Sequence, residues 1–221
     1  WANTKAAYRF FPCRSEGDSL GIYAAPEDQE PGEVFAFPRQ GFGERLCLAD
    51  FAVPRSCGQA DFVAFFVVTC GAGVREAAAR YREAGEYLKS HALSALALES
   101  AEAFADILHE RLRTMWGIGK RGARFSFGYP CCPNLEDQAR LLRLLDAENS
   151  VGVRLTEGFM MDPEASVSAL VFHHPRARMF SLAAQDAPPK GCRTSRRPPR
   201  RPATRRPGPD SPGPRHTRPL P

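Results

Sequence analysis

The segment that most limits the fold is "DFVAFFVVTCG", Asp61 to Gly71, because an apolar run of that length leaves no face for water. It is β-branched, aromatic and bounded by glycine, which predicts a central strand buried on both faces. After Gly71–Gly73 the pattern switches. Residues 74–118 are rich in Ala, Leu, Glu and Arg, contain no proline and have one internal glycine before Gly117, Gly85. This predicts helix, with a break expected near Ser90 or Ser100. Leu93, Leu96, Ala97, Ala101, Phe104, Ala105, Leu108 and Leu112 recur at three-and-four spacing and predict one buried stripe. Glu102 falls one position off that stripe.

Upstream, Tyr8–Pro12, Leu20–Ala24, Val34–Phe37 and Leu46–Ala52 are short apolar runs separated by turn-forming connectors, and each is expected as a strand. Downstream, Asn134 is expected as the N-cap of a short helix, "NLEDQARLLRLLDA", with Asp137 at its third position. "SVGVRLTEGFMM" and "ASVSALVFHH" bracket "DPEA" and predict a hairpin, and "ARMFSLAAQ" predicts one more strand. The sum is an α+β fold, a twisted, mostly antiparallel sheet with long helices packed on it.

Charge divides the 221 residues in two. From Asp186 to the end there are 10 Lys/Arg and 2 Asp/Glu, and 11 of the 20 prolines, whereas residues 1–185 carry 20 basic against 23 acidic residues. The net +5 therefore belongs to residues 186–221, which hold too few large apolar residues to form a core and are expected to be a disordered tail. Three readings fit that tail: an Arg-rich arm attracting phosphates, an unstructured extension, or an out-of-frame end. Nucleic-acid binding is not the favoured reading of the chain. Residues 1–185 are expected to form one domain. No secretory signal or membrane-length apolar run is present, Trp1 is not an initiator, and the chain reads as a cytoplasmic piece of something longer.

Seven cysteines without a C-x-x-C pair argue against zinc and a disulfide scaffold. The adjacent Cys131 and Cys132 are expected as packing residues beside a tight turn. His173 and His174, on an expected strand, point to opposite faces and suit a metal poorly. "GAG" lacks the full G-x-G-x-x-G of a phosphate loop. No nucleophile stands at useful spacing from a base, so no catalytic residue and no metal ligand is expected.

Four segments, "FPCRSEGD", "ESAEAFADILHERLR", "RFSFGYPCCPNLEDQ" and "LTEGFMMDPEASVSALVFHHP", together resemble the C-terminal activation domain of cobalamin-dependent methionine synthase. The resemblance spans about residues 8 to 182. The family's R-x-x-x-G-Y-P-x-C-P segment stands here as Arg124, Gly128, Tyr129, Pro130, Cys132 and Pro133.

That resemblance implies a domain that binds S-adenosylmethionine in a shallow groove. It implies docking on a separate cobalamin-binding domain, so that cobalamin is held by that partner and not by this chain. It further implies methylation of oxidised cobalamin with an electron from a flavodoxin-type reductase, in support of a methyltransferase that this chain alone does not complete.

Carried over residue by residue, the ligand site comprises Glu102, Arg124, Ser126, Gly128, Tyr129, Met179 and Phe180. Arg124 has the planar fork that suits a carboxylate, and Gly128 admits close backbone approach. Ser126 stands where the family usually has alanine, and Met179 and Phe180 where it has a tyrosine pair. The Met179-Phe180 pair, together with the family's ligand-contacting aspartate in an Asp-Trp-x-Pro-Phe-Phe segment not found in this sequence, motivates an alternative, a docking-only module that contacts a cobalamin domain without binding S-adenosylmethionine.

Overall fold

The computed structural model describes residues 3–182. Six strands form the main sheet: β1 (Lys5–Glu16), β2 (Ser19–Ile22), β3 (Glu33–Ala36), β4 (Asp61–Thr69), β5 (Ala123–Phe125) and β8 (Ser166–Phe172). They lie in the order β3-β2-β1-β4-β8-β5, and every neighbour pair is antiparallel. As expected, β4 is central. It pairs with β1 from Lys5↔Thr69 to Cys13↔Asp61 and with β8 from Ala64↔Val171 to Thr69↔Ser166.

The two-residue period of β4 sends its side chains into two cores. Val63, Phe65 and Val67 join an aromatic core containing Phe11, Phe35, Phe51, Phe125 and Phe172. This face is closed by helices α3 (Asp137–Leu144) and α4 (Ala147–Val151), which bury Leu141, Leu142, Ala147 and Val151. Ala64, Phe66 and Val68 join the opposite core, lined by Ala97, Ala101, Ala105, Leu108 and Leu112 of the long helix α2 (Tyr87–Trp116). Most of the expected stripe is therefore buried, but Leu96 is 59% exposed, because that position rotates off the sheet-facing side.

Several expectations are corrected. Leu46–Ala52 forms a 3-10 turn at Leu48–Phe51 and no strand. The Asp50 carboxylate accepts the Cys47 N–H at 2.9 Å and is held by Arg39 at 2.7 Å, and this curls the chain. The helical stretch breaks at Gly85 (φ +77°), between α1 (Val74–Glu83) and α2. Helix continues through Ser90 and Ser100, whose hydroxyls donate to the carbonyls of Ala78 (2.8 Å) and Leu96 (2.7 Å). Helix α3 starts later than expected. Glu136 is its N-cap, Asn134 Oδ1 accepts the Glu136 N–H at 3.2 Å, and Asp137 is the first helical residue.

The expected hairpin around "DPEA" is also different. Short strands β6 (Arg154–Leu155) and β7 (Met161–Asp162) pair with each other, while β8 enters the main sheet. All of β8 is buried, pairing with β4 over residues 166–171 and with β5 over residues 170–172, whereas Arg154 and Arg75 clamp Asp162 outside at 3.0 and 2.5 Å. Residues 177–182 contain no strand, and the remainder of "ARMFSLAAQ", the expected boundary at 185/186 and the tail lie outside the described residues. Among the described residues no helix is long and apolar enough to cross a membrane.

Candidate functional site

Register decides where Arg124 points. It sits opposite Val171, and Val171 belongs to the α2-side core, so Arg124 faces α2. There its Nη2 donates to Glu102 Oε2 at 3.0 Å and lies 3.1 Å from Asp106 Oδ1. The helical i, i+4 spacing stacks these carboxylates one turn apart on the same flank. One turn further, His109 is buried, its Nε2 without a hydrogen-bond partner. Burial, then the positive charges of Arg113 and Arg124, lower its pKa to about 4 against the opposing pull of Asp106. It is neutral at pH 7. Arg113 completes this flank, donating from Nη2 to the Gly122 carbonyl at 2.8 Å.

Past Arg124 the chain leaves the sheet and closes a tight loop. The Gly128 N–H donates to the Cys132 carbonyl and the Cys132 N–H to the Tyr129 carbonyl, both at 2.9 Å. Gly128 has φ +88°, and a Cβ there would come within 2.9 Å of Leu135 Cδ2, so conformation and space both require glycine. Cys131 and Cys132 are buried free thiols, as their packing role anticipated. The Cys132 thiol donates to the Ser126 carbonyl at 2.8 Å, and its hydrogen bond with Cys131, together with burial, pushes its pKa up.

Beside this loop lies a shallow cavity of about 150 Å³. Glu102, Ser126, Tyr129, Leu135, Gln138 and Met160 line it, with Ser166–Ser168 of β8 as its floor. It exists because β5 is only three residues long and pairs only with residues 170–172 of β8. Among the described residues the stretch Ser166–Ala169 has no strand on that side. Tyr129 is half exposed and lines the cavity.

Five of the seven expected site residues therefore come together: Glu102, Ser126 and Tyr129 on the cavity, Arg124 bound to Glu102, and Gly128 shaping the loop. Met179 approaches the loop through Cys131, with the sulfurs 3.9 Å apart, and is half exposed. Phe180 turns its ring toward Phe51, centroids 6.4 Å apart, and packs on the aromatic core. Neither lines the cavity.

Gln138 is a site residue that sequence reasoning missed. Its Nε2 donates to the Phe159 carbonyl at 3.0 Å and its Oε1 accepts from Ser168 Oγ at 3.0 Å, tying α3, β8 and the segment before β7 into one wall. The available signal was a polar residue at a core position, since Gln138 shares a face with Leu141, Leu142 and Leu145.

Among the described residues a cavity of about 200 Å³ lies beside Asp50 and Phe51, and two much larger ones lie elsewhere. One of about 680 Å³ covers the Gly71–Gly73 turn, but Asp162 already pairs with Arg75 and Arg154 there, so the phosphate reading gains nothing. The other, about 630 Å³, lies between α1 and α2. His173 lies beyond the end of β8 rather than on it, 2.6 Å from Asp61 Oδ1, and His174 stacks on Phe51. Burial raises the Asp61 pKa, but the His173 hydrogen bond and the N–H groups of Phe62 and Val53 outweigh it, so the net shift is downward. Among the described residues no three His, Cys, Asp or Glu side chains are grouped to hold a metal.

The family described as vitamin B12 dependent methionine synthase, activation domain, matches residues 1–187. The methionine synthases of Mycobacterium tuberculosis and Mycobacterium leprae are each 32% identical over 206 residues, covering 82% of this chain and 17% of their own length. A crystal structure of the MetH reactivation domain bound to AdoHcy superposes with a TM-score of 0.77 at 32% identity, covering 82% of this chain and 62% of that one.

Proposed function

The chain belongs to the activation-domain family of vitamin B12 dependent methionine synthases, and from that premise we propose that its groove binds S-adenosylmethionine. The observation that carries this reading is the Arg124–Glu102 pair at the edge of the cavity. In addition, a relative of the same fold was solved with AdoHcy bound. Arg124 offers a bidentate fork to the ligand carboxylate, and Glu102 a negative partner for its ammonium. Ser126 and Gly128 offer backbone at close approach, and Tyr129 an aromatic face to the purine. Met179 borders the loop through Cys131, and Phe180 supports the site from the core.

A cavity of about 150 Å³ seats only part of such a ligand, since drug-sized sites span roughly 300–1,000 Å³. The sulfonium end therefore lies open to a docking partner. S-adenosylmethionine would supply an activated methyl group, and this chain's residues would bind it, orient it and leave its reactive end accessible. The acceptor is cobalamin carried by a cobalamin-binding domain, with the electron from a flavodoxin-type reductase. The chain spans 17% of the length of the curated relatives, so the folate and homocysteine chemistry of the methyltransferase belongs to parts beyond it. Six free thiols among the described residues favour a reducing compartment such as the cytoplasm.

The test is calorimetric titration of S-adenosylmethionine into the chain. The wild type should bind saturably, and Arg124→Ala should weaken binding by about 10- to 100-fold, the worth of a lost charge-assisted hydrogen bond. The small cavity also gives the docking-only reading a foothold. A folded wild type that binds a cobalamin domain and no S-adenosylmethionine would establish it.

A further inference from the structure

Arg124 holds two carboxylates with one nitrogen. Both Glu102 and Asp106 contact Nη2, at 3.0 and 3.1 Å, so two negative charges face one guanidinium. The two acids differ in place and in freedom. Glu102 lines the cavity and its side chain is 50% exposed, whereas Asp106 sits one helical turn away, lines no part of the cavity and is 72% exposed. The Arg124 side chain is only 22% exposed and does not line the cavity either. Its neighbour His109, neutral at pH 7, adds no further positive charge to the flank.

We propose that Asp106 is a positioning residue that holds the Arg124 guanidinium against α2 in the empty domain and is exchanged for the ligand carboxylate when the groove fills. The inference rests on the functional reading above. The exchange replaces one carboxylate on the guanidinium by another, so Arg124 keeps its charge-assisted partners throughout. Asp106, the more exposed acid, regains water at little cost, while Glu102 remains on the cavity to meet the ammonium. Asp106 therefore opposes binding and selects for ligands that bring a carboxylate of their own. A ligand lacking the carboxylate leaves the Arg124–Asp106 contact intact.

The test compares wild type, Asp106→Asn and Asp106→Glu in titrations with S-adenosylmethionine and with decarboxylated S-adenosylmethionine. The contact is exposed, so Asp106→Asn should tighten the carboxylate ligand by about two- to fivefold, the range of an exposed ion pair. It should leave the decarboxylated ligand unchanged, and Asp106→Glu should restore wild-type affinity. A second readout needs no ligand. Side-chain 15N NMR of Arg124 should show faster guanidinium rotation in Asp106→Asn than in wild type.

Equal or weaker S-adenosylmethionine binding by Asp106→Asn, in a wild type that binds, overturns this inference and leaves the groove reading standing. Absence of binding by wild type and variants removes the groove reading. In that case the NMR result decides the positioning role: unchanged rotation overturns it, and faster rotation upholds it.

Discussion

The two faces of the sheet solve the same burial problem with different materials. On one, phenylalanines interlock: Phe65 meets Phe11 at 5.3 Å and Phe35 at 5.4 Å, and Phe51 meets Phe125 at 6.1 Å. On the other, α2 presents alanines at positions 97, 101 and 105. Large rings hold elements apart and fill the space between them; small residues let a helix lie close to the sheet. The close approach brings the polar flank of α2, Glu102, Asp106 and His109, within reach of Arg124 on the edge strand. The aromatic face holds the large buried rings, and the alanine face brings Glu102 to a groove whose other wall is tied together by Gln138 of α3.

The largest expected effect tests the aromatic face. Phe65→Ala removes a fully buried ring and should cost about 3–5 kcal/mol in denaturant unfolding. A loss below 1 kcal/mol would show that this core does not carry the fold.

Ala105→Leu tests the opposite face. It adds bulk where Ala105 is fully buried, and should cost about 1–3 kcal/mol while also weakening the ligand, because α2 must move from β5. Unchanged stability and affinity together would refute the claim of close approach.

Gly128→Ala acts at the rim between the faces. Its positive φ and the nearby Leu135 predict a loss of about 1–2 kcal/mol, read by thermal unfolding. At neutral pH the smallest effect belongs to His109. Its folded pKa of about 4 lies below the unfolded value near 6.5, so its neutral form stabilises the fold fully above that value. That stability is lost as pH falls from about 6.5 towards about 4. Unfolding curves across this window should be flatter for His109→Leu than for wild type.

How much was legible in the sequence follows from how local each cause is. β4 could be read because its burial is written in consecutive residues, and the α2 stripe because its period is regular. The break at Gly85 was visible in principle, but the serines drew attention although their hydroxyls are satisfied by helix carbonyls. The turn at Leu48–Phe51 was not legible, since it depends on Arg39 reaching Asp50 across eleven positions. Likewise Arg124, Gly128 and Tyr129 were found through a compact motif, while Asp106 and Gln138 were not. Their roles arise only when α2 and α3 are set against β5 and β8.

The three-residue length of β5 has a further consequence. Along β8, Leu170 and Val171 pair with both β4 and β5, while Ser166–Ser168 pair with β4 alone and line the groove on the other side. The strand therefore carries its own internal standard for hydrogen exchange. Amides facing the open half report on whatever fills the groove, and those in the closed half report on the fold itself. Occupancy and stability can be followed as separate signals on one strand.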